Sequence, residues 1–166
     1  EAVISNASGC GVMVKDFGCQ LGSPLAHQLG RATRDLGEWL LDPEAGFLDK
    51  LRPLLAGKTL PRIAYHPPCT LQHGQKLKGG VEAGLRHLGF EVQLPADSHL
   101  CCGSAGTYSV LQPAVAGELR QRKLANLDRL GADCVASSNI GCIVHLADAA
   151  GQPVRHWIEV LDDLLS

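Results

Sequence analysis

Two adjacent cysteines closed by a glycine, Cys101-Cys102-Gly103, stand between a lone Cys69 upstream and a lone Cys142 downstream. No other feature of the 166-residue chain restricts the fold as strongly. The spacing is C-x31-CCG-x38-C, with Gly141 directly before the last cysteine and the small-residue run Gly103-Ser104-Ala105-Gly106 directly after the pair. Neighbouring cysteines bridge each other poorly, because a disulfide requires a set separation and direction of its two Cβ atoms. Two thiolates side by side suit a different task, gripping one zinc ion or one iron–sulfur cluster.

The rest of the composition agrees with a reduced, metal-binding chain. Seven cysteines is an odd number without the dense regular pattern of a small secreted scaffold, which favours free thiols in a reducing compartment. Hydrophobic residues make up 45% of the chain, enough for a core without disulfide staples. A formal charge of -2 and the absence of any Lys/Arg run argue against a nucleic-acid surface. No stretch approaches the roughly 18 consecutive apolar residues of a spanning helix, so the chain reads as intracellular. It opens without Met inside an apolar segment, Ala2-Val3-Ile4, and reads as part of a longer protein.

Short β-branched segments alternate with longer helical ones, the pattern of βα units around a parallel sheet with helices on both faces. Arg62 to His66 reads as a strand stopped by Pro67-Pro68, Leu71 to Leu88 as a helix, and Phe90 to Leu94 as a second strand. Pro113 opens a helix to Leu130, on which Arg120, Arg122, Lys123 and Arg129 read as a solvated face. Asp133 to Ser137 is a third strand, Gly141 to Ala149 a short helix, and Trp157 to Leu165 a final one. Each suspected ligand follows a strand, and sites in open α/β sheets form outside the carboxyl ends of strands. A partial repeat is also visible. Ile4 to Cys10 resembles Val135 to Cys142, and Arg34 to Leu40 resembles Arg155 to Leu161. The repeat implies a duplicated module of which residues 1–57 are the tail of a truncated first copy and residues 58–166 a complete second copy.

The whole constellation resembles a known family. Tyr65-His66-Pro67-Pro68-Cys69-Thr70-Leu71-Gln72-His73, Asp97 to Tyr108 around the cysteine pair, Asn139-Ile140-Gly141-Cys142, and Arg155 to Glu159 are similar to the cysteine-rich CCG modules of heterodisulfide reductases and of the iron–sulfur subunits of lactate- and glycolate-oxidising complexes, the glycolate oxidase type above all. The resemblance implies two CCG modules behind an N-terminal ferredoxin-like part. It also implies a relay of electrons from an FAD-carrying glycolate oxidase subunit toward quinone, in a cytoplasmic subunit held at the inner membrane through its complex. Such a subunit is not catalytic alone. The family's fullest motif ends in C-x-x-C and serves a non-cubane cluster, whereas here Asn139 stands where the first of that closing pair belongs. Four ligands remain, Cys69, Cys101, Cys102 and Cys142. Four thiolates hold either a [4Fe-4S] cluster or a zinc ion, and spacing does not choose between them.

Around such an anionic site, Gly103, Gly106 and Gly141 read as cofactor-binding positions whose backbone N–H groups approach the sulfurs. Cys10 corresponds to Cys142 by the repeat and reads as a ligand without its partners, or as a visitor to the second site. Cys19 and Cys134 read as buried small hydrophobes. His66, His73, His99 and His145 lie near cysteines in sequence, but Pro67-Pro68 holds the chain extended after His66, so these rings read as hydrogen-bonding groups behind the ligands. Asp97 and Glu159 read as structural. No Gly-x-Ser-x-Gly elbow or phosphate-cradling loop occurs. Three functions fit this reading: an electron-transfer iron–sulfur subunit, a zinc or apo module that docks the flavin subunit without redox chemistry, and thiol–disulfide exchange at the cysteine pair.

Overall fold

The computed structural model describes residues 1–166. The chain runs β1 (Val3–Ser5), α1 (Ser8–Leu21), α2 (Pro24–Ala32), β2 (Thr33–Asp35), α3 (Leu36–Leu40), α4 (Phe47–Leu51), β3 (Ile63–His66), α5 (Gly80–His87), β4 (Val92–Gln93), α6 (Tyr108–Leu111), α7 (Pro113–Asp128), β5 (Cys134–Ser137), α8 (Ile140–Ala147), β6 (Val154–His156) and α9 (Trp157–Leu165). Two short 3₁₀ turns flank α4, and a π-helical turn, Thr70–Gly74, follows β3. β1 and β2 form a parallel pair. The other four strands form a second parallel sheet in the order β4-β3-β5-β6.

All four residues of β3 and all four of β5 are buried, as expected for central strands covered on both faces. Their side chains alternate between two cores. Ile63, Tyr65, Cys134 and Ala136 face one side, under Val81 and Leu85 of α5 and Trp157, Val160 and Leu161 of α9. Ala64 and Val135 face the other, under Leu124 and Leu127 of α7 and Leu146 of α8. Helices therefore cover both faces, as the βα pattern implies, because right-handed crossovers running in opposite directions along a sheet lay their helices on opposite sides.

β3 and β5 are neighbours although β4 lies between them in sequence. The chain leaves β3 toward one edge and returns on the other side of it, which opens a crevice at their carboxyl ends. Two buried hydrogen bonds lock that end: Ser137 Oγ donates to the His66 carbonyl at 2.9 Å, and the hydroxyls of Tyr65 and Ser138 meet at 2.6 Å.

The segments that the repeat aligns adopt the same turn. β2 runs into α3 through Asp35 and β6 into α9 through His156, each an N-cap paired reciprocally with a Glu three residues on, Glu38 and Glu159. Residues 56–62 connect the first sheet's portion of the chain to β3.

Three expectations change. The helix read over Leu71 to Leu88 is broken, because Lys76 and Gly79 take positive φ of 60° and 78° and helix resumes only at Gly80. The strand read over Phe90 to Leu94 shortens to β4, two residues at the sheet's edge. Lys123 does not belong to a solvated face. It is buried, its stem packed inside and its ammonium donating to the Asp97 carbonyl at 2.7 Å.

Candidate metal centre

The crevice between β3 and β5 gathers side chains from three separate connections. Cys69 comes from the turn after β3, Cys101 and Cys102 from the long loop after β4, and Cys142 from the first turn of α8 after β5. The four sulfurs lie in a row, Cys69 beside Cys101, Cys101 beside Cys102, Cys102 beside Cys142. Cys102 and Cys142 are buried, whereas Cys69 and Cys101 are half-exposed at the rim. At the inner end of the row, a ring nitrogen of His66 and the sulfurs of Cys102 and Cys142 all lie within 4.8 Å of one another.

Neighbouring thiols in the row shift one another in opposite directions. Contact with the Cys101 sulfur, followed by burial, pushes Cys69 up. Cys102 is pushed up by Cys101, then by Cys142 and burial. Cys101 is drawn down, first by Cys102, then by Cys69, with the Gly103 amide donating to its Sγ at 3.3 Å. Cys142 is drawn down by Cys102, and its neighbours His66 and Asn139 act in the same direction. Alternation of this kind is what a row of crowded thiols does when each thiolate is held by the S–H beside it. The four residues thus form a single titrating unit, the donor chemistry that a soft metal or cluster displaces protons from. Buried Lys123 adds positive charge next to Cys101 and Cys102.

The opening segment of the chain braces two of the three ligand loops. The Ser8 amide donates to the Ser138 carbonyl and the Gly9 amide to Asn139 Oδ1, both at 3.0 Å. Ser8 Oγ meets Thr70 Oγ1 at 2.7 Å, and Gln75 Nε2 donates to the Ser8 carbonyl at 3.0 Å. His156 Nε2 bonds the Asn6 carbonyl at 2.8 Å. Asn139, at the position the family's motif gives to cysteine, turns its amide toward Cys142 Sγ at 3.5 Å while its oxygen caps the Gly9 amide.

The glycines of the site divide by role. Gly103 takes φ +97°, and a Cβ there would lie 2.4 Å from the Ala116 carbonyl oxygen, so only glycine lets the cysteine pair sit this close to α7. Gly106 takes φ +62° in open space. Gly141 lets α8 approach Ser104, whose Oγ would be 3.0 Å from an added Cβ. Only the Gly103 amide of these three hydrogen-bonds a sulfur; the amides of Thr70 and Ser104 serve Cys69 and Cys102.

Among the remaining cysteines, Cys134 is buried in β5 as expected, but Cys19 is exposed on α1, against expectation. Cys10 is exposed on the first turn of α1 and does not join the sulfur row. His73 meets the His99 carbonyl and His145 the Ala116 carbonyl, so both serve backbone oxygens. Asp97 sits at φ +53° and pairs with Arg122 at 2.6 Å, and Glu159 belongs to the α9 cap. The sequence reading missed the burial of Lys123 and did not single out His66 from the other histidines near cysteines. For His66 a signal existed: strand alternation sets it on the same face as Ala64, the face that Cys102 and Cys142 line.

Comparison with known proteins agrees with this geometry. The profile of the cysteine-rich domain family CCG matches residues 63–147. The glycolate oxidase iron-sulfur subunit of Escherichia coli is 42% identical over 99% of this chain, which spans 40% of that protein's length. Lactate utilization protein A of Geobacillus thermodenitrificans is 27% identical over 98% of this chain and 70% of its own length, and that of Lysinibacillus sphaericus is 28% identical over 98% and 73%. No helix is long and apolar enough to cross a membrane.

Proposed function

This chain belongs to the cysteine-rich CCG domain family, and from that premise we propose that it carries single electrons through a [4Fe-4S] cluster held by Cys69, Cys101, Cys102 and Cys142. One observation carries the reading: thiols from three distant connections meet in one row at the switch point of the sheet. The donor set fits the group. It offers four soft ligands and no carboxylate, and it supplies amide donors to offset the charge of bound thiolates. A bound cluster would supply one-electron redox chemistry. The chain's own part is to orient the sulfurs, to shield the Cys102 and Cys142 side from water, and to set the local potential. The backbone N–H groups of Gly103, Thr70 and Ser104, together with the Lys123 ammonium, act toward a higher reduction potential by stabilising negative charge on the sulfurs.

In the same reading residues 1–57 and 58–166 are successive CCG modules, and the chain is part of the iron–sulfur component of a 2-hydroxy-acid-oxidising complex. The name of the Escherichia coli relative makes glycolate the first candidate. Oxidation of the acid occurs at FAD on a partner subunit, and a ferredoxin-like portion of the same protein joins the relay to quinone at the inner membrane from the cytoplasmic side. The half-exposed rim at Cys69 and Cys101 is the short route for electrons. Ile140 and Val144, exposed one turn apart on the helix that carries Cys142, suit contact with a partner.

Anaerobic loading with iron and sulfide, followed by absorbance, EPR and iron analysis, tests the assignment. Four irons per chain and loss of the cluster in Cys102→Ser support it; no bound iron with all four thiols free refutes it. A second reading, a zinc module that docks the flavin subunit, draws on the mutual 4.8 Å spacing of His66, Cys102 and Cys142, which suits a single ion. One equivalent of zinc that iron and sulfide do not displace would establish that reading instead.

A further inference from the structure

We propose that His66 is itself a ligand of the group held by the four cysteines, giving one imidazole nitrogen to a site that the motif alone describes as all-sulfur. The inference rests on the iron–sulfur reading and deepens it.

His66 is the last residue of β3, is 1% exposed, and neither ring nitrogen hydrogen-bonds an oxygen or a nitrogen; its polar neighbours are sulfurs. A buried imidazole with both nitrogens unpaired is costly, and native structures satisfy nearly all such groups. The other buried histidine follows that rule: His156 bonds the Asn6 carbonyl through Nε2 and accepts the Ile158 amide at Nδ1. His66 has no such backbone group in reach. What it faces is Cys142 and Cys102, each sulfur within 4.8 Å of its nearer nitrogen. A nitrogen and a sulfur bonded to the same metal at about 2.0–2.1 Å and about 2.3 Å lie within roughly 4 Å of each other, so a small approach brings the ring to the iron that one of these two sulfurs holds.

Topology strengthens the assignment. The donors run Cys69, Cys101, Cys102, Cys142, His66, and the two ends of that series are joined by Pro67-Pro68 alone. The rigid diproline thus ties the strand residue at the inner end of the row to the cysteine at its rim. Asn139 supplies no sulfur, and its amide is already committed to the Gly9 N–H and to Cys142. His66 reaches the same inner end of the row from the paired strand, where it sits opposite Ser137 in register. A neutral imidazole adds a lone pair without adding charge, which suits a site already carrying several thiolates.

The test is pulsed EPR on the protein loaded anaerobically with iron and sulfide and reduced to its paramagnetic state, prepared with histidine carrying either ¹⁴N or ¹⁵N. The assignment requires a strong nitrogen hyperfine coupling that changes with the isotope, disappears in His66→Cys while iron content is retained, and returns in His66→Ala on adding free imidazole. A loaded wild-type cluster without isotope-sensitive coupling overturns the assignment and leaves the four-thiolate cluster standing. A wild type that takes up no iron overturns both. Far-UV circular dichroism of each variant separates loss of a ligand from loss of fold, and the isotope comparison on the wild type needs no variant.

Discussion

Gly103→Ala should injure this protein far more than Gly106→Ala, although both glycines have positive φ and lie three residues apart. At Gly103 a methyl group meets the Ala116 carbonyl oxygen at 2.4 Å and the His145 ring at 3.0 Å, while at Gly106 it meets nothing within 4 Å. Both substitutions force an L-residue into left-handed backbone, at about 1–2 kcal/mol. Only Gly103→Ala adds overpacking against backbone, about 1–3 kcal/mol more. The difference between the variants is therefore about 1–3 kcal/mol, or about 2–12 °C in melting temperature for a domain of this size. Relief of the clash requires the cysteine pair to swing away from α7, which shifts Cys101 and Cys102 relative to Cys142 on α8. The variant should therefore lose metal capacity as well as stability. Urea unfolding followed by circular dichroism, with iron stoichiometry after anaerobic loading, measures both quantities. Equal destabilisation of the two variants, or full iron content in Gly103→Ala, would refute the claim that close approach to α7 positions the pair.

Other substitutions probe independent parts of the argument. Gly117→Ala, in the interior of α7 with open space around the new methyl, should raise stability by about 0.5–1 kcal/mol in the same unfolding assay. Asp35 is buried with Oδ2 unpaired, and burial raises its pKa from its ordinary value. A carboxyl whose folded pKa is raised weakens the fold once it ionises, so its penalty is absent below about pH 4 and grows as pH rises through the raised value. Asp35→Asn keeps the cap on the Gly37 amide and should stabilise the protein by about 1 kcal/mol at pH 7, with the gain vanishing at pH 3; a gain equal at both pH values would contradict the assignment. Lys123→Met removes a charge beside Cys101 and Cys102 worth about 1–2 kcal/mol within about 10 Å at an effective dielectric near 20. Potentiometric titration of the loaded protein should show a lower midpoint potential for Lys123→Met and an unchanged one for Lys123→Arg.

What the sequence discloses about this fold follows from how local each cause is. β3 and β5 are legible because β-branched and small residues are bounded by prolines or turn residues, and those effects act within a few positions. The convergence of Cys69, the pair and Cys142 is legible because each follows a strand in a βα pattern, and parallel topology brings such ends together. The break after Gly74 is hidden because Leu77, Val81, Leu85 and Leu88 keep helical spacing across it and all pack on the same core. Periodicity reports which residues face the core, not whether the backbone between them is continuous. Lys123 is hidden for a related reason: its neighbours, half-buried Arg120 and exposed Arg122, have acidic partners, and only the long loop after β4, folding back to present the Asp97 carbonyl, buries the lysine among them.

The limits of the family match are not the limits of the site. Residues 63–147 contain every proposed ligand, yet the loops bearing Cys69 and Cys142 are hydrogen-bonded across their outer side to Ser8 and Gly9, and β6 reaches Asn6 through His156. Those bonds come from the turn after β1, the segment that the internal repeat aligns with the turn carrying Cys142. The two copies of this turn therefore meet each other, the upstream one using its backbone amides to hold the loop that in the downstream one presents a thiol. Asn139 stands at the join, with one end of its carboxamide on Gly9 and the other on Cys142. A cysteine at that position would add a thiol beside Cys142 and surrender the carboxamide bonds that join the Gly9 amide to Cys142 Sγ. Asn139 thus ties the turn after β1 to the helix that carries Cys142, at the same inner end of the sulfur row where the His66 ring lies.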